Sequence, residues 1–240
     1  MPKSSYSVLM SGARTQNIAL EMTANNISNA NTHGFKANRL VFEEVLKESE
    51  DGLEMASESQ VRVAKNYTDL RQGMMDKTGN PLDLAIAGDG FFVVNTPGGE
   101  RYTRAGAFTI SAEGYLVNAQ GYRVQGEGGD IDLRDPRGLR VDNEGNVTKR
   151  GRLLDTLRVV SFAEPQKIER EGHNLWTNPP TNEVLTSKVS IKTGWLEKSN
   201  VNPIRSMTNM IQISRLYEMF MKGIQTFQKI DEKTTQQLSR

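Results

Sequence analysis

The sequence predicts an α+β fold with a helix at each end of the chain and an all-β region between them. Near the N-terminus Tyr6, Ala13, Leu20 and Ile27 recur every seven residues, which places an apolar stripe along a helix. Near the C-terminus apolar residues alternate spacings of three and four, as in a coiled-coil seam. The middle holds short alternating strands separated by glycine turns, without the amphipathic helices that a parallel α/β sheet needs.

Composition excludes several kinds of site and partner. The 240 residues suffice for one or two domains with a core, and the formal net charge of +1 gives no field that favours nucleic acid or an anionic membrane. The chain has no cysteine, which excludes disulfides, thiolate metal sites and cysteine nucleophiles. No apolar run of about 18 residues predicts a transmembrane helix, so no direct membrane insertion is expected. The N-terminus lacks the apolar region of a secretory signal peptide.

An asparagine cluster closes the N-terminal helix. Its members are Asn25, Asn26, Asn29 and Asn31. Asparagine is a poor helix former because its amide competes for nearby backbone groups, so the cluster calls for a reason. Asn25, Ser28, Asn29 and Thr32 share one helix face, which suits close contact with another backbone, and a frayed helix end is the open alternative. Gly34 then allows a turn with positive φ.

The sequence after the asparagine cluster, from 39 to 67, predicts three successive kinds of segment. Apolar residues within 39–48 suggest a short helix, and Val61, Val63 and Tyr67 alternate as in an extended segment. Between these lies an acidic run that contains a single lysine, Lys47. Its acidic members are Glu43, Glu44, Glu48, Glu50, Asp51, Glu54 and Glu58. No apolar pocket signal surrounds these carboxylates, so the run indicates a solvated, irregular segment and not an acidic active site.

The all-β region carries no recognisable catalytic or metal-binding constellation. His33 and His173 lack zinc-ligand spacing, and 126–129 lacks the strand and helix that flank a dinucleotide-binding glycine loop. The stretch 142–146 superficially suggests a calcium loop, but without the full ligand ladder it predicts a type I or I′ turn. The basic stretch 149–152 could bind an anion or an acidic partner, or form a solvated strand end. We therefore expect no enzymatic activity, no cofactor and no metal.

The C-terminal helix is predicted to begin with Asn202 as its N-cap and Pro203 at its first position. Its seam consists of Met210, Ile213, Tyr217, Phe220, Ile224 and Phe227. Further apolar residues widen this stripe: Ile204, Met207, Ile211, Leu216, Met219, Met221 and Ile230. A helix that is apolar on several faces must contact several neighbours.

Several blocks of sequence resemble a known family. The stretch A-N-N-I-S-N-A-N-T-H-G-F-K at 24–36 is similar to the N-terminal signature of bacterial flagellar rod and hook proteins. The stretch 80–93, N-P-L-D-L-A-I-A-G-D-G-F-F-V, and Y-T-R-A-G-A-F at 102–108 resemble their central segments. L-E-K-S-N-V-N-P at 196–203, followed by Met210 and Ile211, resembles the start of their C-terminal helix.

The resemblance implies a discontinuous coiled-coil helical domain from 1–35 and 203–240, a linking region of 36–80 and 186–202, and an inserted β domain at 81–185. It implies a structural subunit that assembles helically into the periplasmic rod and is exported without a cleaved signal peptide. The implied partners are other rod subunits, copies of itself and the flagellar type III export apparatus.

Alternatives to this assignment remain at two levels. Met10-Ser11-Gly12-Ala13, Asn202-Pro203 and the chain length look more like the proximal rod class. The distal rod class is the near alternative, and the β region is too short for the hook protein's additional domain. Outside the family, a β-domain enzyme or a carbohydrate-binding module with a helical dimerisation tail is the competing hypothesis.

The signature block and the two apolar stripes together predict an assembly interface. Its residues are Leu20, Asn25, Asn26, Ile27, Asn29, Thr32, Gly34, Phe35, Met210, Ile213, Tyr217, Phe220, Ile224 and Phe227. Because two helices without a third do not complete a bundle, we expect Ile224 to be exposed or loosely packed in a single chain.

Overall fold

A computed structural model describes residues 2–47, 58–133, 138–182, 184–186 and 190–238. The chain separates into two compact units. The first, the helical unit, comprises Met1–Ser28, Asn38–Asp69 and Asn202–Arg240. The second, the β unit, comprises Asn29–Ala37 and Leu70–Val201. Helices lie at both ends and strands fill the middle, so the predicted α+β class is confirmed.

The helical unit contains the two long helices, α1 (Pro2–Ser28) and α2 (Pro203–Leu238). The helices run antiparallel, because Gly12 lies against Phe220 whereas Leu9, one turn earlier, lies against Gly223. A Cβ added to Gly12 would lie 2.6 Å from Cε1 of Phe220, so glycine permits the close approach.

The start of α2 agrees with the sequence. Pro203 is its first residue, and Oδ1 of Asn202 accepts a hydrogen bond from the backbone N–H of Arg205 at 3.1 Å. This is the geometry of an N-cap, in which the side chain satisfies one of the free N–H groups of the first turn. The predicted cap is therefore confirmed.

A β-hairpin completes the helical unit. Strand β1 (Asn38–Lys47) pairs antiparallel with β2 (Glu58–Thr68), and the register shifts between Val41 and Phe42. The expected short helix at 39–48 is therefore wrong, because pairing with a strand further along the chain overrides local propensity. The irregular state expected for the acidic run is also wrong for Glu43, Glu44 and Glu58, which lie in the strands. The rest of the run, 48–57, lies outside the described residues.

The β unit is built from short antiparallel strands. They are β3 (Met75–Lys77), β4 (Leu84–Ala87), β5 (Phe91–Thr96), β6 (Gly99–Thr103), β7 (Thr109–Ile110), β8 (Leu116–Val117), β9 (Arg123–Gly126), β10 (Gly129–Asp130), β11 (Leu139–Val141), β12 (Asn146–Lys149), β13 (Arg152–Thr156), β14 (Val159–Phe162), β15 (Glu169–Gly172), β16 (Leu175–Thr177), β17 (Val184–Thr186), β18 (Ser190–Thr193) and β19 (Trp195–Glu197). A single 3₁₀ turn, Pro165–Lys167, separates β14 from β15.

The largest sheet of the β unit runs in the order β15-β16-β6-β5-β9-β8-β7. Strand β10 adds to β9, and β14 joins β5 to β17. Strands β11, β12 and β13 form a separate three-stranded sheet, while β4 pairs with β18 and β3 pairs with β19. The last two pairings bring the strands before position 87 to the strands after position 190, so they close the unit.

Strand β5 separates two buried clusters. Phe92 and Val94 belong to the larger cluster, and Phe91 and Val93 belong to a smaller one that includes Trp176. Successive residues of a strand point to opposite faces, so β5 is apolar on both faces because both are covered. This explains the uninterrupted F-F-V-V in the sequence.

Candidate functional site

The signature segment 29–37 belongs to the β unit and begins with a turn. The backbone N–H of Thr32 donates to the carbonyl of Asn29 at 3.1 Å, and the two side chains are also hydrogen bonded. Gly34 follows with φ of +71°, and its N–H donates to the carbonyl of Glu197 at 2.8 Å. A Cβ at Gly34 would lie 2.4 Å from the backbone nitrogen of Ala105. Positive φ and this close approach both require glycine, as the sequence predicted for the turn.

A buried ion pair fixes the end of the segment. Nζ of Lys36 lies 2.6 Å from Oε1 of Glu197, and both side chains are 1% exposed. Nζ also donates to the carbonyl of Arg71 at 2.9 Å, and Oε1 also accepts from the backbone N–H of Gly73 at 2.8 Å. Desolvating two charges is costly, and these additional bonds offset part of the cost. The pair therefore ties together three stretches of the chain that are distant in sequence.

A second cation, Arg104, is buried beside the same carboxylate. Its Nη1 lies 3.5 Å from Oε2 of Glu197, and its guanidinium carbon lies 5.2 Å from the centroid of Phe91. Burial lowers the pKa of Arg104, and the carboxylates of Glu197 and Asp89 offset part of that shift. Within the described residues, Nε and Nη1 of Arg104 and Oε2 of Glu197 have no hydrogen-bond partner. The pairing of Arg104 is thus electrostatic at a longer distance.

A third cation, Arg170, covers the aromatic residue of the signature. Its guanidinium carbon lies 4.4 Å from the ring centroid of Phe35 and 4.7 Å from the ring of Trp176. Its Nη2 donates to the carbonyl of Lys36 at 2.5 Å. Burial lowers the pKa of Arg170 to about 10. Cation–π contacts of this kind hold Phe35 in the β unit, where it is fully buried.

The third family-like block contacts the first through Asn200. Its Oδ1 accepts from the backbone N–H of Ala37 at 2.7 Å, and its Nδ2 donates to the carbonyl of Arg71 at 3.0 Å. Asn174 likewise donates to the carbonyl of His33 at 3.0 Å. The signature is therefore held by Asn200 of the C-terminal block and by Asn174, which lies outside the family-like blocks.

Sequence reasoning selected Gly34 and Phe35 but missed the charged and amide groups around them. Those residues are Lys36, Arg104, Arg170, Glu197 and Asn200. All but Arg170 lie within or directly beside the family-like blocks, and opposite charges at 36 and 197 were a signal that could have paired them. Nothing in the sequence near Arg170 indicates that it is buried.

The asparagine cluster makes the backbone contact that was expected of it, at a different residue. Nδ2 of Asn26 donates to the carbonyl of Asn38, and Oδ1 of Asn26 accepts from the N–H of Asn38, both at 2.9 Å. The frayed-end alternative is therefore wrong at Asn26. The contact lies outside the face predicted from Asn25 and Asn29, and Asn25 is exposed. It joins α1 to β1 within the helical unit.

The helix pair buries part of each predicted stripe. Ile224 is 4% exposed, which contradicts the expectation that it is exposed or loosely packed in a single chain. It is covered because Leu9 and Gly12 of α1 lie against the turn of α2 that carries it. The remaining seam residues of α2 are half-buried. These are Met210, Ile213, Tyr217, Phe220 and Phe227.

The predicted apolar stripe of α1 is only partly confirmed by the burial of its residues. Ala13 is buried and Leu20 and Ile27 are half-buried, whereas Tyr6 is exposed. Thr15, a polar residue outside the heptad row, is also buried. Close helix packing favours these small side chains and leaves the larger residues at the edge of the contact.

The outer side of α2 carries large apolar residues that α1 does not cover. Met219 is 60% exposed. Ile204, Met207, Ile211, Leu216 and Ile230 are also exposed. Such a row of exposed apolar side chains is typical of a face that another protein covers.

The stretch 142–146 forms the predicted turn. Oδ1 of Asp142 accepts from the backbone N–H groups of Glu144 and Asn146, both at 2.9 Å, and Gly145 has φ of +87°. The side-chain bond from Asn146 holds the pKa of Asp142 below its usual value, and the backbone bonds add to this. Among the described residues no group of three or more potential ligands could hold a metal ion. No helix in the same part of the chain is long and apolar enough to cross a membrane.

Comparison with known families gives three matches along the chain. Residues 7–36 match the family described as flagella basal body rod protein. Residues 85–149 match the flagellar hook protein FlgE/F/G D1 domain, and residues 192–237 match the flagellar basal body rod FlgEFG protein C-terminal family.

Three relatives align with most of the chain. The flagellar basal-body rod protein FlgF of Caulobacter vibrioides is 34% identical, with 92% of each chain covered. FlgF of Mesorhizobium japonicum is 32% identical over 83% of each chain. The flagellar basal-body rod protein FlgG of Buchnera aphidicola from Acyrthosiphon pisum is 30% identical, over 94% of this chain and 96% of the relative.

Proposed function

This chain belongs to the flagellar basal-body rod protein family as a structural subunit of the FlgF type, and we propose that it assembles helically with copies of itself in the periplasmic part of the rod. The predicted family and the proximal rod class are confirmed by these relatives. FlgG relatives at lower identity leave the distal class as the weaker alternative. Membership of the rod family implies assembly with other rod subunits and a place in the basal body.

We propose the remaining features of its route and chemistry as follows. The chain leaves the cell through the flagellar type III export apparatus without a cleaved signal peptide, binds no nucleic acid and has no enzymatic activity. The balanced charge and the lack of cysteine support this view, since a chain without disulfides passes unfolded through a narrow channel without prior reduction.

We further propose that α1 and α2, the two helices of the expected domain of 1–35 and 203–240, pack as a coiled coil. The alternating seam and the antiparallel helix contact support this. The inserted β domain is proposed around 81–185, and the linking region of 36–80 and 186–202 contributes β3, β18 and β19 to the β unit. The support for this division is that both helices come from the chain ends while the predicted strands lie between them.

The two-sided character of α2 carries the proposal of assembly. One side contains Ile224 and faces α1, while the opposite side exposes Met219 and its apolar neighbours. Burying one such side chain fully contributes about 1.5–3 kcal/mol, which neighbouring subunits gain when they cover the row. The exposed row extends the predicted interface. The predicted interface residues then act in two ways: Gly34, Phe35 and Ile224 shape the subunit, and exposed Asn25 contacts neighbours directly.

Substitution on the two sides of α2 tests this proposal. Met219→Asp places a charge on the exposed row, and Met219→Leu is its matched control. We expect the Asp variant to melt like the unchanged chain but to give non-motile cells with truncated rods, because each assembled copy would bury an unpaired charge. The Leu variant should support motility. Motile cells with complete rods in the Asp strain would refute the assembly role of this row.

A further inference from the structure

The three-stranded sheet of the β unit has an unusual outer edge. Leu153 and Leu154 of β13 are 56% and 42% exposed, respectively. In the sheet order β11-β12-β13, strand β13 is at the edge and pairs only with β12 among the described strands. Its pairing partner at Leu153 is Thr148, which in turn pairs with Arg140. Because directly opposed residues share a face, these three lie on the side of the sheet away from the buried Val147.

Basic residues are neighbours of the two exposed leucines in the sequence and in the strand pairing. Arg150 and Gly151, with φ of +50° and +81°, form a two-residue turn that places Arg150 at the tip, beside the Lys149–Arg152 pair. Arg140 lies on the same face as Leu153, and all three arginines are exposed. No ion pair between described residues involves Arg140, Arg150 or Arg152.

The acidic residue of β13, Asp155, is already engaged. Oδ1 of Asp155 accepts from the backbone N–H groups of Gly128 and Thr156, at 3.1 and 2.7 Å. It therefore belongs to the loop contact at the far end of β13. The turn end of the hairpin therefore exposes apolar and basic side chains, with Arg140 and Leu153 on one face, Arg152 on the other and Arg150 at the tip. We name this patch, formed by Arg140, Arg150, Arg152, Leu153 and Leu154, the basic edge.

We propose that the basic edge of one copy binds the acidic segment 43–58 of a second copy. The segment contains Glu43, Glu44, Glu48, Glu50, Asp51, Glu54 and Glu58 against the single Lys47. Guanidinium groups bind carboxylates through paired hydrogen bonds, which a lysine cannot do as well. Leu53 and Met55 interrupt the acidic run, so the segment also offers apolar side chains for Leu153 and Leu154.

This contact joins different surfaces of the two copies. Such a head-to-tail interface repeats from copy to copy and gives a closed ring or an open helix, depending on the rotation between copies. The inference rests on the proposed function, because a repeating contact serves a protein that stacks into a rod. It adds the β unit to the assembly surfaces, beyond the exposed row of α2.

Cross-linking between two singly substituted chains tests the contact, and the lack of native cysteine makes it specific. Leu153→Cys chains are mixed with Glu50→Cys chains and treated with a short bismaleimide. We expect a cross-linked pair made of one chain of each kind. Gln120→Cys replaces Leu153→Cys as the control, since Gln120 is exposed in another part of the β unit. Equal yields from both mixtures would overturn the proposal.

Charge reversal then tests the recognition chemistry. Arg150→Glu with Arg152→Glu, made in the Leu153→Cys chain, should lower the yield about tenfold or more because like charges replace opposite ones. Adding Glu48→Lys and Glu54→Lys to the partner chain should restore it, and raised salt should weaken the unreversed pair. Melting curves establish that the reversed chains fold; if they do not, Arg150→Gln with Arg152→Gln replaces the reversal. A yield that ignores charge and salt would contradict the inference.

Failure of the inference differs from failure of the proposed function. Motile cells that lack this chain altogether would overturn the rod function, whatever the cross-linking yields. Loss of motility on deletion, together with absent charge-dependent cross-links, would retain the rod function and remove only the basic-edge contact.

Discussion

Removal of the Glu197 carboxylate should strongly destabilise the β unit. Glu197→Gln keeps the shape of the side chain but leaves Lys36, which is 1% exposed, without its counter-charge at 2.6 Å. Breaking a buried ion pair by removing one partner costs about 3–5 kcal/mol. Arg104 would also lose the carboxylate of Glu197, so we expect the free energy of unfolding to fall by an amount in the upper part of that range.

The reciprocal substitution, at Lys36, should lower the free energy of unfolding by a smaller amount. Lys36→Met leaves the Glu197 carboxylate with the N–H of Gly73 and with Arg104, so one cation still faces it. The structure therefore predicts an asymmetric pair of losses, larger for Glu197→Gln than for Lys36→Met. The double variant should lose less stability than the sum of the losses of the two single variants, because neither Lys36 nor Glu197 is then left as a charge without the other.

Urea unfolding monitored by tryptophan fluorescence measures these changes, since Trp176 lies in the core of the β unit. Lys198→Met is the control: Lys198 and Asp76 are 3.0 Å apart but half-exposed, so we expect a loss below about 1 kcal/mol. A loss below about 1 kcal/mol for Glu197→Gln, or equal losses for the two single variants, would refute the reasoning.

Three further substitutions follow from the same structure. Gly34→Ala should destabilise the β unit by more than about 1 kcal/mol, because it adds a Cβ where φ is +71° and the nearest backbone atom is 2.4 Å away; urea unfolding measures this, and an unchanged midpoint would contradict it. Ile224→Asp should lower the thermal stability of the helices by several kcal/mol, measured by circular dichroism, whereas Met219→Asp should not, and equal melting of the two would show that Ile224 is not buried. The depressed pKa of Asp142 means that its contribution to stability is present above its usual pKa of 3.8 and is lost as the pH falls through the lower folded value; Asp142→Asn should remove that part of the acid dependence, and an identical stability–pH curve would exclude it.

Features decided by neighbouring residues could be predicted from the sequence. Asn202 and Pro203 specify a helix start by themselves, and the turn at 142–146 follows from the side chain of Asp142 and the freedom of Gly145. The residues of the predicted C-terminal seam lie within α2 and share one face of it, because helix periodicity is a local property.

Features decided by distant partners could not be predicted in this way. The segment 39–48 carries apolar residues that suit either a helix or a strand, and only its pairing with 58–68 decides between them. Likewise, Thr15 is buried although it lies outside the heptad row of α1, and no spacing within α1 specifies this. Of the site, the sequence indicated Gly34 and Phe35 through their motif, but Arg170 lies outside any motif.

The pair between Lys36 and Glu197 spans 161 positions, which sets an order of events during synthesis. A chain made from its N-terminus carries residues 29–37 from the start, yet their carboxylate partner emerges only when four-fifths of the chain exists. Until then Lys36 has no buried counter-charge to join, and the strand β19 that closes the unit is absent. A nascent chain that ends before residue 197 would contain most of the strands but not the ion pair that holds residues 29–37 in place. Completion of the β unit is therefore a late event in the life of each molecule.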